Sequence, residues 1–344
     1  MKSALRYLIS LGFAGGLIWY AFKDINLTEM LDRFARSDWS WIAVSCVLLL
    51  MAHISRAWRW NMLMEPLGYK PGLFNSSIAV LTGYFANYIV PRMGEVTRCG
   101  TLYKLERVPV NLSFGTVVAE RIFDVIILLV LIGVNFILEF DRLSKFFMDF
   151  FQSKIGATEA GGNGMPILLI ILLGGLVLVA GVGIYIFTNK SLQEKLMQNA
   201  LVQKVVQFAQ GMLEGLLSVR KLNSPGLFIC STIAIWVFYY LVSYVLFFCI
   251  PETSNLGLLA GLTLLVVGSI GMAAPVQGGL GAYHMLVGSV MILYGLTYND
   301  GITLATFIHG AQMIFMLAIG ALAFLIVMVK KDRTLETAEV STEN

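Results

Sequence analysis

Apolar residues in this chain come in long runs, interrupted by a few charges and by Pro/Gly breaks. Runs at 5–22, 41–62, 114–138, 166–187, 227–250 and 303–329 approach the about 20 residues that a helix needs to cross a bilayer. Three shorter or interrupted runs, at 74–90, 256–275 and 280–296, flank Pro/Gly breaks. The pattern predicts an all-α polytopic membrane protein of about six to eight transmembrane helices with one or two re-entrant hairpins. Residues 1–329 form its transmembrane domain and 330–344 a short tail. Within that domain, residues 191–221 repeat apolar positions at helical spacing (Leu192, Leu196, Val205, Phe208, Met212, Leu216) between basic residues, which predicts an amphipathic surface helix.

Composition agrees with the runs. The chain is 58% hydrophobic and 13% charged, where a soluble domain carries about a quarter charged residues. A net charge of +3, with no basic stripe, excludes a nucleic-acid partner. Cys46, Cys99, Cys230 and Cys249 stand singly in or near apolar runs, so buried free thiols are expected. No metal-ligand spacing and no nucleotide-binding or hydrolase motif occurs, so neither a cofactor nor a metal is expected. The first run ends in Trp19-Tyr20-Ala21-Phe22 and not in small residues, which reads as an uncleaved helix.

Lysine and arginine set the expected orientation. They concentrate at 56–107, at 188–226 and in the tail, while 23–38 and 139–158 are balanced or acidic. Both termini are therefore expected in the cytoplasm, in a multi-pass protein of the cell membrane. In that scheme 74–90 enters from the cytoplasm and returns, and 256–296 forms either two spans or a hairpin dipping in from outside. The breaks Pro91-x-x-Gly94 and Pro275-x-x-Gly278 resemble each other, as the two halves of an inverted-repeat transporter would.

Candidate chemistry gathers at these breaks. Arg92, Glu95 and Arg98 are three apart, and on a helix starting after Pro91 they would share a face. Guanidinium forks suit phosphate oxygens, and Gly94 would let a headgroup approach the backbone. The alternative is an interfacial loop whose arginines snorkel to ordinary lipids. Glu120, Arg121 and Asp124 lie two turns into an apolar run, where a charge costs on the order of 3 kcal/mol unless it faces the protein interior. They form either a structural ion-pair network, reaching Arg98, or a coupling site with a titrating carboxylate. Arg56 and Arg59 read as anchors of the second helix, and His53, His309 and Gln312 as core polar groups without a role.

Three motifs together resemble a known family. Asn87-x-x-x-Pro91-x-x-x-Glu95-x-x-Arg98, Ala119-Glu120-Arg121-x-x-Asp124 and Pro275-x-x-Gly278-Gly279-Leu280-Gly281 are similar to the lysylphosphatidylglycerol synthase transmembrane region. This is the flippase-like membrane domain of multiple-peptide-resistance factors, also found as stand-alone proteins. The resemblance covers nearly the whole chain. It implies translocation of a phosphate-bearing lipid, an aminoacyl-phospholipid or a polyprenyl-phosphate-linked sugar. Asn87, Pro91, Arg92, Gly94, Glu95, Arg98, Pro275, Gly278, Gly279 and Gly281 are then the expected headgroup contacts. Fused members carry a soluble aminoacyl-transferase domain after the membrane region, and only residues 330–344 follow it here, so no enzyme activity is expected. The expected partners are membrane lipids and a separate lipid or glycan synthase. The competing readings are an integral membrane enzyme acting on a lipid headgroup, with Glu95, Glu120 or Asp124 as base, and a non-transporting partner of a synthase.

Overall fold

A computed structural model describes residues 27–142 and 217–330 apart from Pro91 and Pro275, together with Gly16, Trp19 and Lys23. The predicted spans 5–22 (but for Gly16 and Trp19) and 166–187, the amphipathic stretch up to residue 216 and most of the tail lie outside the described residues. All the helices below belong to one compact unit, residues 1–140 and 214–344. The other unit, residues 141–213, is described only at Asp141 and Arg142.

Nine α-helices occur among the described residues, with no strand: α1 (Leu27–Ala35), α2 (Trp39–Met64), α3 (Leu73–Ile89), α4 (Gly94–Glu106), α5 (Val110–Leu138), α6 (Pro225–Val245), α7 (Leu258–Ala273), α8 (Ala282–Met291) and α9 (Tyr298–Val329). Four of them, α2, α5, α6 and α9, are long and apolar enough to span a membrane. Local chemistry sets their ends. Asp38 caps α2 by accepting from the Ser40 amide at 3.0 Å. A Pro66 turn and left-handed Gly68 stop it. Pro225 opens α6, and a reciprocal Thr297–Asp300 capping box opens α9.

Contacts at the helix ends fix the direction of each element. We call the side where α2 begins the upper face. There Asp38 donates to the Cys249 carbonyl beyond α6, Thr263 near the start of α7 donates to Asn135 near the end of α5, and Arg33 reaches Asp300 at the start of α9. At the lower face Asn223 before α6 meets Glu65 after α2. Glu106 at the end of α4 accepts from Gly72 and Asn75 at the start of α3, and Lys330 after α9 donates to Asn75. Helices α3 and α4 thus form a hairpin that enters from the lower face, and α7 and α8 one that enters from the upper face. Of the two readings of 256–296, the hairpin is the one adopted.

The order long helix, broken hairpin, long helix therefore occurs twice, the second time upside down. Packing follows the same symmetry: α2 packs on α6, α3 on α9 as α7 on α5, α2 on α3 as α6 on α7, and α4 on α5 as α8 on α9. Burial completes the picture. Ile122, Val125, Ile126, Leu129 and Val130 leave the outer face of α5 uniformly apolar, as hydrocarbon requires.

Candidate functional site

The hairpin tips differ from the sequence expectation in a specific way. α4 begins at Gly94, not directly after Pro91, and Arg92 lies outside it at φ 64°, exposed in the turn that reverses the chain. Arg92 therefore does not share a helical face with Glu95 and Arg98. Gly94 is required by chain packing: a Cβ there would meet the Gly83 carbonyl oxygen at 2.5 Å and the Asn87 side chain. Asn87 is spent on the same turn, its Oδ1 accepting from the Gly94 amide at 2.6 Å.

The opposite tip is a run of left-handed backbone, with Gly278, Gly279 and Gly281 at φ 58°, 72° and 80°. A Cβ on Gly279 would lie 2.7 Å from the Met272 sulfur, and one on Gly278 would lie 3.1 Å from the Tyr88 ring of the other hairpin. The two breaks meet there. Pro91 and Pro275, both expected headgroup contacts, lie outside the described residues.

Beneath the tips the charges form one network. On α5, Glu120 and Asp124 are one turn apart and face α2, whose Arg56 and Arg59 are spaced to meet them. Arg56 Nη1 donates to Glu120 at 2.7 Å and to Asp124 at 2.8 Å, and Arg59 Nη2 donates to the same pair at 3.2 and 2.6 Å. Arg98 Nη2 completes the set on the other Glu120 oxygen at 2.9 Å, its guanidinium stacked 3.9 Å from the Trp60 ring centre. Arg121 bridges Glu95 at 3.3 Å and Asp124 at 3.5 Å. Counting 1.5 Å per residue from the lower helix ends puts Arg56 and Glu120 about 12–15 Å along α2 and α5, well inside the apolar helices and away from either end.

Arg56 and Arg59 are thus buried members of the network, not anchors at a helix end, with side chains 4% and 0% exposed. The missed signal was spacing: Arg-x-x-Arg and Glu-x-x-x-Asp on two apolar helices are complementary faces. Arg98, expected to bind a headgroup, is instead packed among protein groups. Cys46 is half-buried and Cys230 is exposed on the apolar surface, unlike the buried Cys99 and Cys249.

A cavity of about 370 Å³ opens beside this network, between both hairpins and α2, α5, α6 and α9. Arg56 and Arg121 form one side of its wall, and His53, Tyr84, Tyr88, Tyr239, Ser243, Ser269, Tyr283 and Gln312 contribute the other polar groups. His53 Nδ1 and Arg121 Nε are buried without a protein partner. Two groups read from sequence as core residues without a role, His53 and Gln312, therefore face this space. None of the tyrosines was singled out by sequence, because an aromatic on an apolar helix carries no signal of which way it faces. His309 packs its ring 5.2 Å from that of His284 behind the upper hairpin.

The sequence has relatives. A "UPF0104 membrane protein MJ1595" of Methanocaldococcus jannaschii is 31% identical over 131 residues, a match covering 37% of this chain and 38% of that protein. No solved structure matches the chain. The family described as Lysylphosphatidylglycerol synthase TM region matches residues 7–320, nearly the whole length, and the chain belongs to that family of membrane proteins.

Proposed function

We propose that this protein is a lipid flippase that moves a phosphate-bearing lipid between leaflets. The observation that carries the reading is the setting of the cavity: walled on one side by arginines and bounded by two broken hairpins that enter from opposite faces. Inverted repeats with irregular backbone at the midplane suit alternating access, because one half can rock against the other around a fixed site. Buried arginines offer a phosphate group fork-shaped donors in low dielectric, while acyl tails stay in the bilayer. Lys70, Lys104, Arg107, Arg220, Lys221 and Lys330 lie toward the lower face, which supports a cytoplasmic lower face of the cell membrane and termini on that side.

Reconstitution tests this. Vesicles containing the protein should expose a headgroup-labelled anionic lipid across the bilayer faster than protein-free vesicles, with the lipid's mass unchanged. A changed mass would favour a headgroup-modifying enzyme, and no crossing would remove the flippase reading.

A further inference from the structure

Resting on that reading, we propose that the cavity selects a lipid headgroup of net negative charge, a phosphodiester joined to a neutral polyol, and excludes a cationic aminoacylated headgroup. The first argument is the charge of the surroundings. Among the described residues four guanidinium groups, Arg56, Arg59, Arg98 and Arg121, meet three carboxylates, Glu95, Glu120 and Asp124, an excess of one positive charge. Each of these carboxylates lies within 3.5 Å of an arginine. An incoming anion neutralises the excess, whereas a lysyl ammonium adds to it.

The second argument is the wall itself. Among the described residues that line it there is no aspartate or glutamate. Besides the arginines it offers Tyr84, Tyr88, Tyr239, Tyr283, Ser269 and Gln312, uncharged hydrogen-bonding groups of which Tyr239 also accepts from Arg56 Nε at 3.3 Å. Such groups match the hydroxyls of glycerol or a sugar, and none supplies the counter-charge a buried ammonium requires. Arg121 is the group placed to meet the phosphate: its side chain is 39% exposed, lines the cavity and keeps a buried Nε without a protein partner. A phosphatidylglycerol-type lipid and a polyprenyl-phosphate-linked sugar share this chemistry.

The test is competitive binding to the purified full-length protein. The probes are phosphatidylglycerol, lysylphosphatidylglycerol and free glycerol phosphate, with retention read by native mass spectrometry. Phosphatidylglycerol should be held at least about tenfold more tightly than its lysylated form, and free glycerol phosphate should compete weakly. Gln312→Glu, or Ser269→Asp on another helix, places a carboxylate in the wall and should shrink or reverse that ratio. Equal or tighter retention of lysylphosphatidylglycerol by the wild type overturns the selectivity and leaves the flippase reading standing. An unchanged ratio in either folded variant also overturns it, as does strong competition by glycerol phosphate, which would mark a soluble-anion site. Retention of neither lipid overturns the selectivity and the flippase reading together.

Discussion

By sequence Arg98 was an expected headgroup contact and Arg121 a member of the interior charge group, and their surroundings in the structure reverse that emphasis. Arg98 sits against Trp60 with Glu120 fixed in front of it, so removing it leaves one oxygen of a buried carboxylate without its arginine and vacates the face of a fully buried ring. Arg98→Ala should therefore lower stability by about 3–5 kcal/mol, the usual cost of breaking a buried pair, seen as a lower melting temperature in detergent. Glu120→Gln should act the same way, since Arg56, Arg59 and Arg98 all converge on that carboxylate. Arg121→Gln should instead fold with a melting temperature close to wild type and lose lipid retention, because its Glu95 and Asp124 partners are partly exposed and its side chain borders the cavity. Equal destabilisation by all three substitutions would remove the distinction. The sequence made Glu120, Arg121 and Asp124 legible as an interior charge group, because hydrocarbon tolerates no other placement. Arg56 and Arg59 were open to two readings, since an arginine toward the end of a span is equally able to snorkel, and only their spacing against Glu120 and Asp124 separates the two.

At the scale of the element, both hairpins depend on close backbone approach. Gly83 on α3 faces Gly94 on α4, and a Cβ on Gly83 would stand 2.8 Å from the Gly94 carbonyl oxygen. Gly271 on α7 plays the same part against the Tyr283 backbone on α8, at 2.7 Å. Small residues at such crossings are how helices associate where lipid tails compete equally for apolar surface. Gly83→Leu should force the lower hairpin open, at a cost of at least about 1–3 kcal/mol, and reduce folded yield. Gly100→Ala on the outer side of α4 meets nothing within 4 Å and should leave yield and melting temperature unchanged or slightly raised. The positions of the breaks were legible from Pro91, Gly94, Pro275 and Gly278. The register was not: Arg92 takes a left-handed conformation, so the helix starts later than Pro91 alone suggests, and the expected shared face of Arg92, Glu95 and Arg98 is lost.

For the whole molecule, the two halves run in opposite directions, and this topology can be tested without knowing the substrate. Lys70 before α3 and Lys104 near the end of α4 lie at the same face, because α3 and α4 return to the side from which they entered. Asn255, before α7, belongs to the opposite face, where Thr263 and Tyr294 join the start of α7 to the end of α8. Single cysteines at 70 and 104, in a background lacking the exposed Cys230, should therefore react with a membrane-impermeant thiol reagent from one side only, and a cysteine at 255 from the other. A cysteine at Ser269, inside the cavity and near neither face, should react slowly with small polar reagents and be protected by added anionic lipid. Labelling of positions 70 and 104 from opposite sides would make α3 or α4 cross the membrane alone. The second half could then no longer be the first inverted, and the opposed hairpins that bring Tyr88 against Gly278 could not meet between the leaflets.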